Sequence, residues 1–383
     1  MFILDDPYVS PFLIKTIKDN QYPVIDSTNR QSIDSLTTKE AIEYISNRSN
    51  PSLYSNSENA IDWINQNMSF TELPNKINTF KDKYKFRQLI QKIYPDFYFQ
   101  SININDLESV NINKLPLPFI IKPRVGFFSM GVYKVHSRDE WTTTIVLIRQ
   151  EMQYLKGLYP ASVMGDEDFI IEQCINGEEF ALDAYINAQG EAVVLSILKH
   201  TFASSEDVSD RVYTTSKEII ESNVEEFTKF VQNIAHLSQV KNFPFHIELR
   251  RDSKGCLLPI EVNPMRFGGW CTTADMSFYA YGFNQYSYYI NQQKPDWETL
   301  LHDKENKLFS VIVLDNSTGI NVDKIKKFDF KRVIKNFSHV LESRVIDFKS
   351  YPLFGFLFVE TNSDNNQELD NILMSDLSEY VEL

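Results

Sequence analysis

The sequence predicts an α/β fold with α+β character: a small parallel unit, a larger mixed region holding the chemistry, and a further small α/β unit. Three observations lead there. The chain opens with a strand, helix, strand pattern; short runs of period-two alternation recur between residues 117 and 264 with helical stripes among them; and past Pro295 strands and helices resume without a chemical motif.

Met1 to Leu4 is a short apolar strand closed by Asp5 and Asp6, Phe12, Leu13 and Ile17 fall at helical spacing, and Tyr22 to Ile25 is a second strand. Helices over Thr38 to Asn47 and Ser57 to Asn67 bring this unit to its end near Pro74, and residues 1–78 are taken as the first domain. It holds no GxGxxG, so nothing marks a dinucleotide site.

Residues 79–165 form the next unit. From Lys81 to Pro95 a helical stripe of Phe86, Leu89, Ile90 and Ile93 leaves Lys83, Lys85 and Arg87 on or near the other side, which alone suits a solvated basic face. In LPFIIKPRVGFFSMGVYK, Leu117 to Lys134, Phe119 and Ile121 alternate with Ile120 and Lys122, so a strand delivers a lysine just before a loop with Gly126, Ser129 and Gly131. Backbone amides and a hydroxyl in such a loop can fold over phosphates, with the lysine adding a point charge. An ordinary loop could carry the same residues, and no Walker A pattern occurs. A helix is expected near Glu140 to Tyr154.

Residues 166–298 follow. Phe169 to Cys174 is an apolar strand, Asn176 and Gly177 make a favoured hairpin turn, and Glu179, Ala181, Asp183 and Tyr185 share one face of the returning strand. Gln189 and Gly190 turn the chain into Ala192 to Leu198, giving an expected three-stranded meander packed by a helix with the stripe Val224, Phe227, Val231 and Ile234. Lys199 to Ser216 is long and polar with Arg211 in its middle, and loops of that length are often functional.

Phe245 to Gly269 reads as a hairpin. Phe245, Ile247 and Leu249 alternate with His246, Glu248 and Arg250, Asp252 to Gly255 supply the turn, and a second strand runs from Cys256 to Asn263. A four-residue turn sets Glu248 opposite Pro259 and His246 opposite Glu261, with Glu248, Glu261 and Asn263 on one face. Two carboxylates and an amide oxygen suit Mg2+, although a solvated acidic face has the same pattern. His246 is either a phosphate contact or a satisfied hairpin histidine. Strands over Leu308 to Leu314, His339 to Ile346 and Leu353 to Glu360 give residues 299–383 as a separate small α/β domain with a covering or dimerising role, compatible with a homodimer.

Composition sets the limits. With 383 residues, 43% of them hydrophobic, a sizeable core is assured, and the net charge of −14 is spread along the chain, which argues against nucleic acid or anionic membrane as partners. No apolar run reaches the ~18 to 20 residues needed to span a bilayer, and the N-terminus lacks signal-peptide character, so a cytoplasmic location is expected. Three cysteines without CxxC and six histidines without HExxH argue against a disulfide frame or a zinc site.

In this order and spacing, the segments from Lys81 to Tyr289 resemble the ATP-grasp superfamily of carboxylate ligases. The resemblance implies an ATP-grasp fold between the two small α/β domains. It also implies ATP and Mg2+, with Mn2+ as the alternative metal. Lys83 and Lys122 are then the two nucleotide lysines, and Gly126 to Gly131, with Ser129, the loop over the triphosphate. Glu172, Gln173, Cys174 and Ile175 correspond to the linker holding adenine, Glu179 to the ribose carboxylate, and Glu248, Glu261 and Asn263 to the metal ligands. Arg266 corresponds to the arginine that steadies the transferred phosphoryl group. The family's commoner form has this arginine directly after Asn-Pro, whereas Met265 intervenes here. Arg211, with Arg266, is the candidate for holding a substrate carboxylate. The implied activity joins a small carboxylate, an amino acid, to an amine through an acyl phosphate. A bicarbonate-using carboxylase-like ligase and a nucleotide-binding module without catalysis remain as alternatives.

Overall fold

Parallel pairing opens the chain, as predicted. In the computed structural model, which describes residues 1–28, 33–126, 131–156, 167–204, 207 and 209–383, β1 (Phe2–Leu4) leads into α1 (Pro11–Asp19) and β2 (Val24–Asp26). Helix α1 starts where the Ser10 hydroxyl accepts the Leu13 N–H at 3.0 Å and Pro11 takes the first helical position. A Thr37/Glu40 capping box starts α2 (Thr38–Ser46), and β3 (Tyr54–Ser55) completes a sheet in the order β2-β1-β3. Helices α3 (Ala60–Asn67) and α4 (Leu73–Lys81) lead into α5 (Lys83–Ile90), capped by the Asp82 carboxylate on the Tyr84 and Lys85 N–H groups.

A four-stranded antiparallel sheet follows. It comprises β4 (Phe99–Asn103), β5 (Phe119–Pro123), β6 (Tyr133–Val135) and β7 (Asp168–Gln173) in the order β4-β7-β5-β6. Phe119 and Ile121 pack with Trp141, Ile145 and Ile148 of α6 (Trp141–Lys156), which turns Ile120 and Lys122 to the other face.

One expectation fails here. The Asn176–Gly177 turn does not fold β7 back on β8 (Glu178–Ile186); the chain instead crosses into an eight-stranded sheet. Gly177 has φ +144°, and a Cβ there would lie 2.0 Å from the Arg251 carbonyl oxygen, so close approach to another strand, not a hairpin, requires this glycine. The large sheet continues with β9 (Ala192–Thr201), β10 (Val212–Ser216), β11 (Phe243–Arg251) and β12 (Leu257–Pro264), and α7 (Lys217–Ser238) packs on it through Ile220, Phe227, Val231 and Ile234. The last segment adds β13 (Lys307–Asp315), β14 (Lys327–Phe328), β15 (Val340–Val345), β16 (Leu353–Asn362) and β17 (Val381–Glu382).

The eight strands run β12-β11-β8-β9-β10-β13-β16-β15, so the C-terminal residues extend the central sheet where a detached domain was expected. They keep their own apolar cluster around Phe328, Phe354, Leu357 and Tyr380, while β13 covers an edge of β10 that would otherwise be bare. No helix among the described residues is long and apolar enough to cross a membrane.

Candidate active site

The hairpin β11–β12 forms in a different register from the one predicted. The turn takes five residues, Asp252 to Cys256, so Arg251 pairs with Leu257, and a bulge then shifts the pairing from Leu249↔Pro259 to Glu248↔Glu261 and His246↔Asn263. Glu248 and Glu261 are therefore directly opposed, with His246 and Asn263 beside them on the same face.

That opposition has an electrostatic cost. Burial, together with the carboxylates of Glu261, Asp210 and Glu179, pushes Glu248 well above the usual carboxylate range. Burial acts on Glu261 in the same sense, but Lys83 and Lys122 outweigh it and hold Glu261 at about 2. The Lys83 ammonium lies 3.1 Å from Glu261, and Asn263 Nδ2 donates to Glu261 Oε1 at 3.1 Å. Two opposed carboxylates that resist joint ionisation, with an amide beside them, fit a hard divalent cation, which would relieve the repulsion and take oxygen donors from all three. Asp183 on β8 anchors the face: fully buried, it bonds His246 Nδ1 at 2.8 Å and accepts the Gly268 N–H at 3.0 Å. His246 Nε2 sits 3.9 Å from Glu248, so this histidine is a satisfied one that braces the hairpin.

A group of buried cations lies across from it. Lys122 reaches Glu172 at 2.7 Å on the inner face shared by β5 and β7, and Lys83 Nζ donates to the Gly126 carbonyl at 3.3 Å. Arg87 corrects the expectation of a solvated basic face. It is 2% exposed, with Nε 2.6 Å from Glu172 Oε2 and Nη1 2.7 Å from the Pro259 carbonyl. Burial raises the Glu172 carboxyl, but Arg87 and Lys122 hold it at about 2, while burial pulls the Lys122 ammonium below its ordinary value. Gly131 has φ +71°, and its N–H is held by Glu151 at 3.1 Å. Ser129 lies outside the described residues.

The linker is fixed by its own backbone bonds. Gln173 exchanges hydrogen bonds with Tyr98 at 2.9 and 3.0 Å, the Cys174 N–H donates to Pro118 at 3.2 Å, and Arg250 donates to the Ile175 carbonyl at 2.6 Å. Glu179 is buried between His200 at 2.9 Å and Arg250 at 2.8 Å; burial raises its carboxyl, and those two groups bring it below the usual range.

Arg266 is turned by its neighbour. Met265 has φ +67°, its N–H bonds Pro244 and its carbonyl takes the Ser55 N–H at 2.7 Å, which stitches the hairpin's end to β3. Arg266 then meets Glu58 at 2.9 Å, and Lys81 lies 3.5 Å from the same carboxylate. Asp210, exposed at the site and accepting the Tyr213 hydroxyl at 2.6 Å, is close enough for its charge to act on Glu248.

Arg211 does not join this group. It donates to Asp315 at 3.0 Å, to Ser317 at 2.8 Å and to the carbonyls of Ile372 and Ser375 at 3.3 and 3.0 Å, with Nη2 also 2.7 Å from Asp315, so it clamps the C-terminal segment to β10. Adjacent residues at a strand's start point to opposite sides, which gives the site Asp210 instead. Arg87 had a signal, its i+4 spacing from Lys83 on one helix face. Glu58 had none, because its partner is 208 residues away.

The chain is similar to known proteins in part of its sequence and in its fold. Residues 115–274 match the ATP-grasp domain family model. An L-arginine-specific L-amino acid ligase of Bacillus subtilis is 25% identical over 159 residues, which is 41% of this chain and 35% of that protein. The chain thus aligns with about a third of that ligase's length. Among solved structures, an L-amino acid ligase from Bacillus licheniformis superposes over 100% of this chain and 97% of its own, with a TM-score of 0.68 and 18% identity. A biotin carboxylase from Campylobacter jejuni covers 100% of this chain and 91% of its own, with a TM-score of 0.60 and 12% identity. The match over residues 115–274 thus lies within a fold that the chain shares along its length with these ligase and carboxylase structures.

Proposed function

We propose that the protein is an ATP-dependent carbon–nitrogen ligase that activates an amino-acid carboxylate as an acyl phosphate and joins it to an amine, releasing ADP and phosphate. The observation that carries this reading is the opposed Glu248/Glu261 pair with Asn263, facing Lys83 and, through Glu172, Lys122. A carboxylate is a poor electrophile because oxide would have to leave, and phosphorylation gives it a good leaving group.

Glu248, Glu261 and Asn263 are the residues that would hold Mg2+, which would supply positive charge to offset that of the phosphates. Lys83 would exchange Glu261 for phosphate oxygens, Lys122, held by Glu172, would add its charge beside them, and Arg266, oriented by Glu58, would meet the transferred phosphoryl group. The carboxylate oxygen attacks the terminal phosphorus as the bond to ADP breaks. The amine nitrogen then attacks the acyl carbon, the carbon–oxygen bond to phosphate breaks, and the amine loses a proton to solvent.

Asp210 favours an amino acid over bicarbonate. Its carboxyl, which burial pushes above the usual range, acts electrostatically on Glu248, and in its ionised form it attracts an ammonium and repels a second anion. The test is ADP release across a panel of amino-acid pairs with the product identified by mass, alongside bicarbonate. Amide products with ADP, lost in Glu261→Gln, support the ligase; ADP release that needs bicarbonate and no amino acid supports the carboxylase-like alternative.

A further inference from the structure

We propose that Arg87 is a positioning residue that locks the bulged register of the metal hairpin to the Lys122–Glu172 pair, so that nucleotide and metal bind as one coupled unit. This rests on the ATP-site reading above and deepens it.

The bulge decides where Glu261 points. Side chains alternate along a strand, so if the Leu249↔Pro259 register ran on without a bulge, Glu248 would face Ile260, and Glu261 would fall on the opposite side of the sheet. A hairpin whose bulge adjoins Glu248 and Glu261 thus has two registers with opposite consequences. Something outside it must favour one.

The edge of β12 supplies that contact. β12 is the terminal strand of its sheet, and Pro259, which lacks an N–H, sits directly before the bulge residue, where a sheet tolerates proline. Two carbonyls on this edge are taken by side chains from the α5 region: Leu257 by the Tyr94 hydroxyl at 2.6 Å, and Pro259 by Arg87 Nη1 at 2.7 Å. Only Arg87 also reaches the nucleotide side, through Nε to Glu172 Oε2 at 2.6 Å, and Glu172 Oε1 holds Lys122 at 2.7 Å.

Two details argue against a purely stabilising role. Among the described residues, Arg87 Nη2 is buried without a hydrogen-bond partner, a cost that an apolar residue stacked on Phe97 in the same place would avoid. Arg87 and Lys122 also place two cations around one carboxylate, leaving a positive balance for phosphate to complete. The planar fork of arginine can hold a carboxylate and a carbonyl in fixed relation; an ammonium on a flexible stem cannot.

Calorimetric titration of ADP into the full chain, with and without Mg2+, tests this for wild type, Arg87→Lys, Arg87→Gln and Tyr94→Phe. Arg87→Lys keeps the buried charge and carries the test even where Arg87→Gln fails to fold. Tyr94→Phe removes the neighbouring strand contact and is the control for loss of packing alone. Mg2+ is expected to tighten ADP binding by wild type and Tyr94→Phe, and that tightening should shrink about ten- to a hundredfold in the Arg87 variants. Mn2+ bound alongside ADP, read by electron paramagnetic resonance, should fall in step. Wild-type Mg2+ dependence in Arg87→Lys, or an equal loss in Tyr94→Phe, would overturn the inference. Wild type that binds no ADP under either condition would overturn the ATP-site reading itself, an outcome distinct from any difference between variants.

Discussion

Glu172→Gln removes the single carboxylate shared by Arg87 and Lys122, all three being no more than 5% exposed. Its worth can be reached in two ways. The Glu172 carboxyl is lowered from 4.5 to about 2, against the pull of burial, by Arg87 and Lys122. At about 1.4 kcal/mol per pH unit, that gap contributes about 3 kcal/mol of stability. Stranding one side of a buried ion pair costs about 3–5 kcal/mol, which agrees. Because the folded value lies below the unfolded one, the contribution is complete above about pH 4.5 and is lost as pH falls through about 2. Urea unfolding of both proteins at a series of pH values, followed by fluorescence and circular dichroism, measures it. Wild type should exceed Glu172→Gln by about 3 kcal/mol at pH 6, with the excess vanishing near pH 2. Parallel pH profiles, or an excess that grows in acid, would refute the reasoning.

Other perturbations separate the remaining parts of the site. Glu58→Gln should leave ADP affinity near wild type while lowering kcat about ten- to a hundredfold, because Arg266 loses the partner that orients it; steady-state kinetics beside calorimetry reads the split. Arg211→Gln should lower stability by about 2 kcal/mol or more and leave the KM for amino acids unchanged, the signature of a clamp to the C-terminal segment and not of a substrate contact. Gly177→Ala should destabilise by at least about 2 kcal/mol, since its Cβ would press on the Arg251 carbonyl, and a thermal melt suffices to see it.

What the sequence made legible is what local pattern encodes. Alternation in Phe119 to Lys122 gave the strand that presents Lys122, and alternation on both arms of the hairpin put Glu248, Glu261 and Asn263 on one face. The register itself was out of reach, because a fifth turn residue and a bulge each shift the pairing by one. Their shifts add, so the predicted Glu248–Pro259 pairing became Glu248↔Glu261. The Asn-Gly turn was misread for a related reason: a glycine needed for a hairpin and a glycine needed for passing Arg251 look identical in one dimension. Arg211 was assigned to the site because the direction in which a residue just before a strand points depends on where that strand, β10, begins. Glu58 and the sheet extension through β13 depend on long-range contact, which no local pattern records.

In the proposed reaction a substrate carboxylate is activated by phosphorylation. The most direct test of this step uses an amino acid with both carboxylate oxygens labelled as 18O, turned over with ATP and an amine partner, and mass analysis of the released phosphate. Formation of an acyl phosphate followed by amine attack predicts one labelled oxygen in each phosphate. Amide product accompanied by unlabelled phosphate would contradict it.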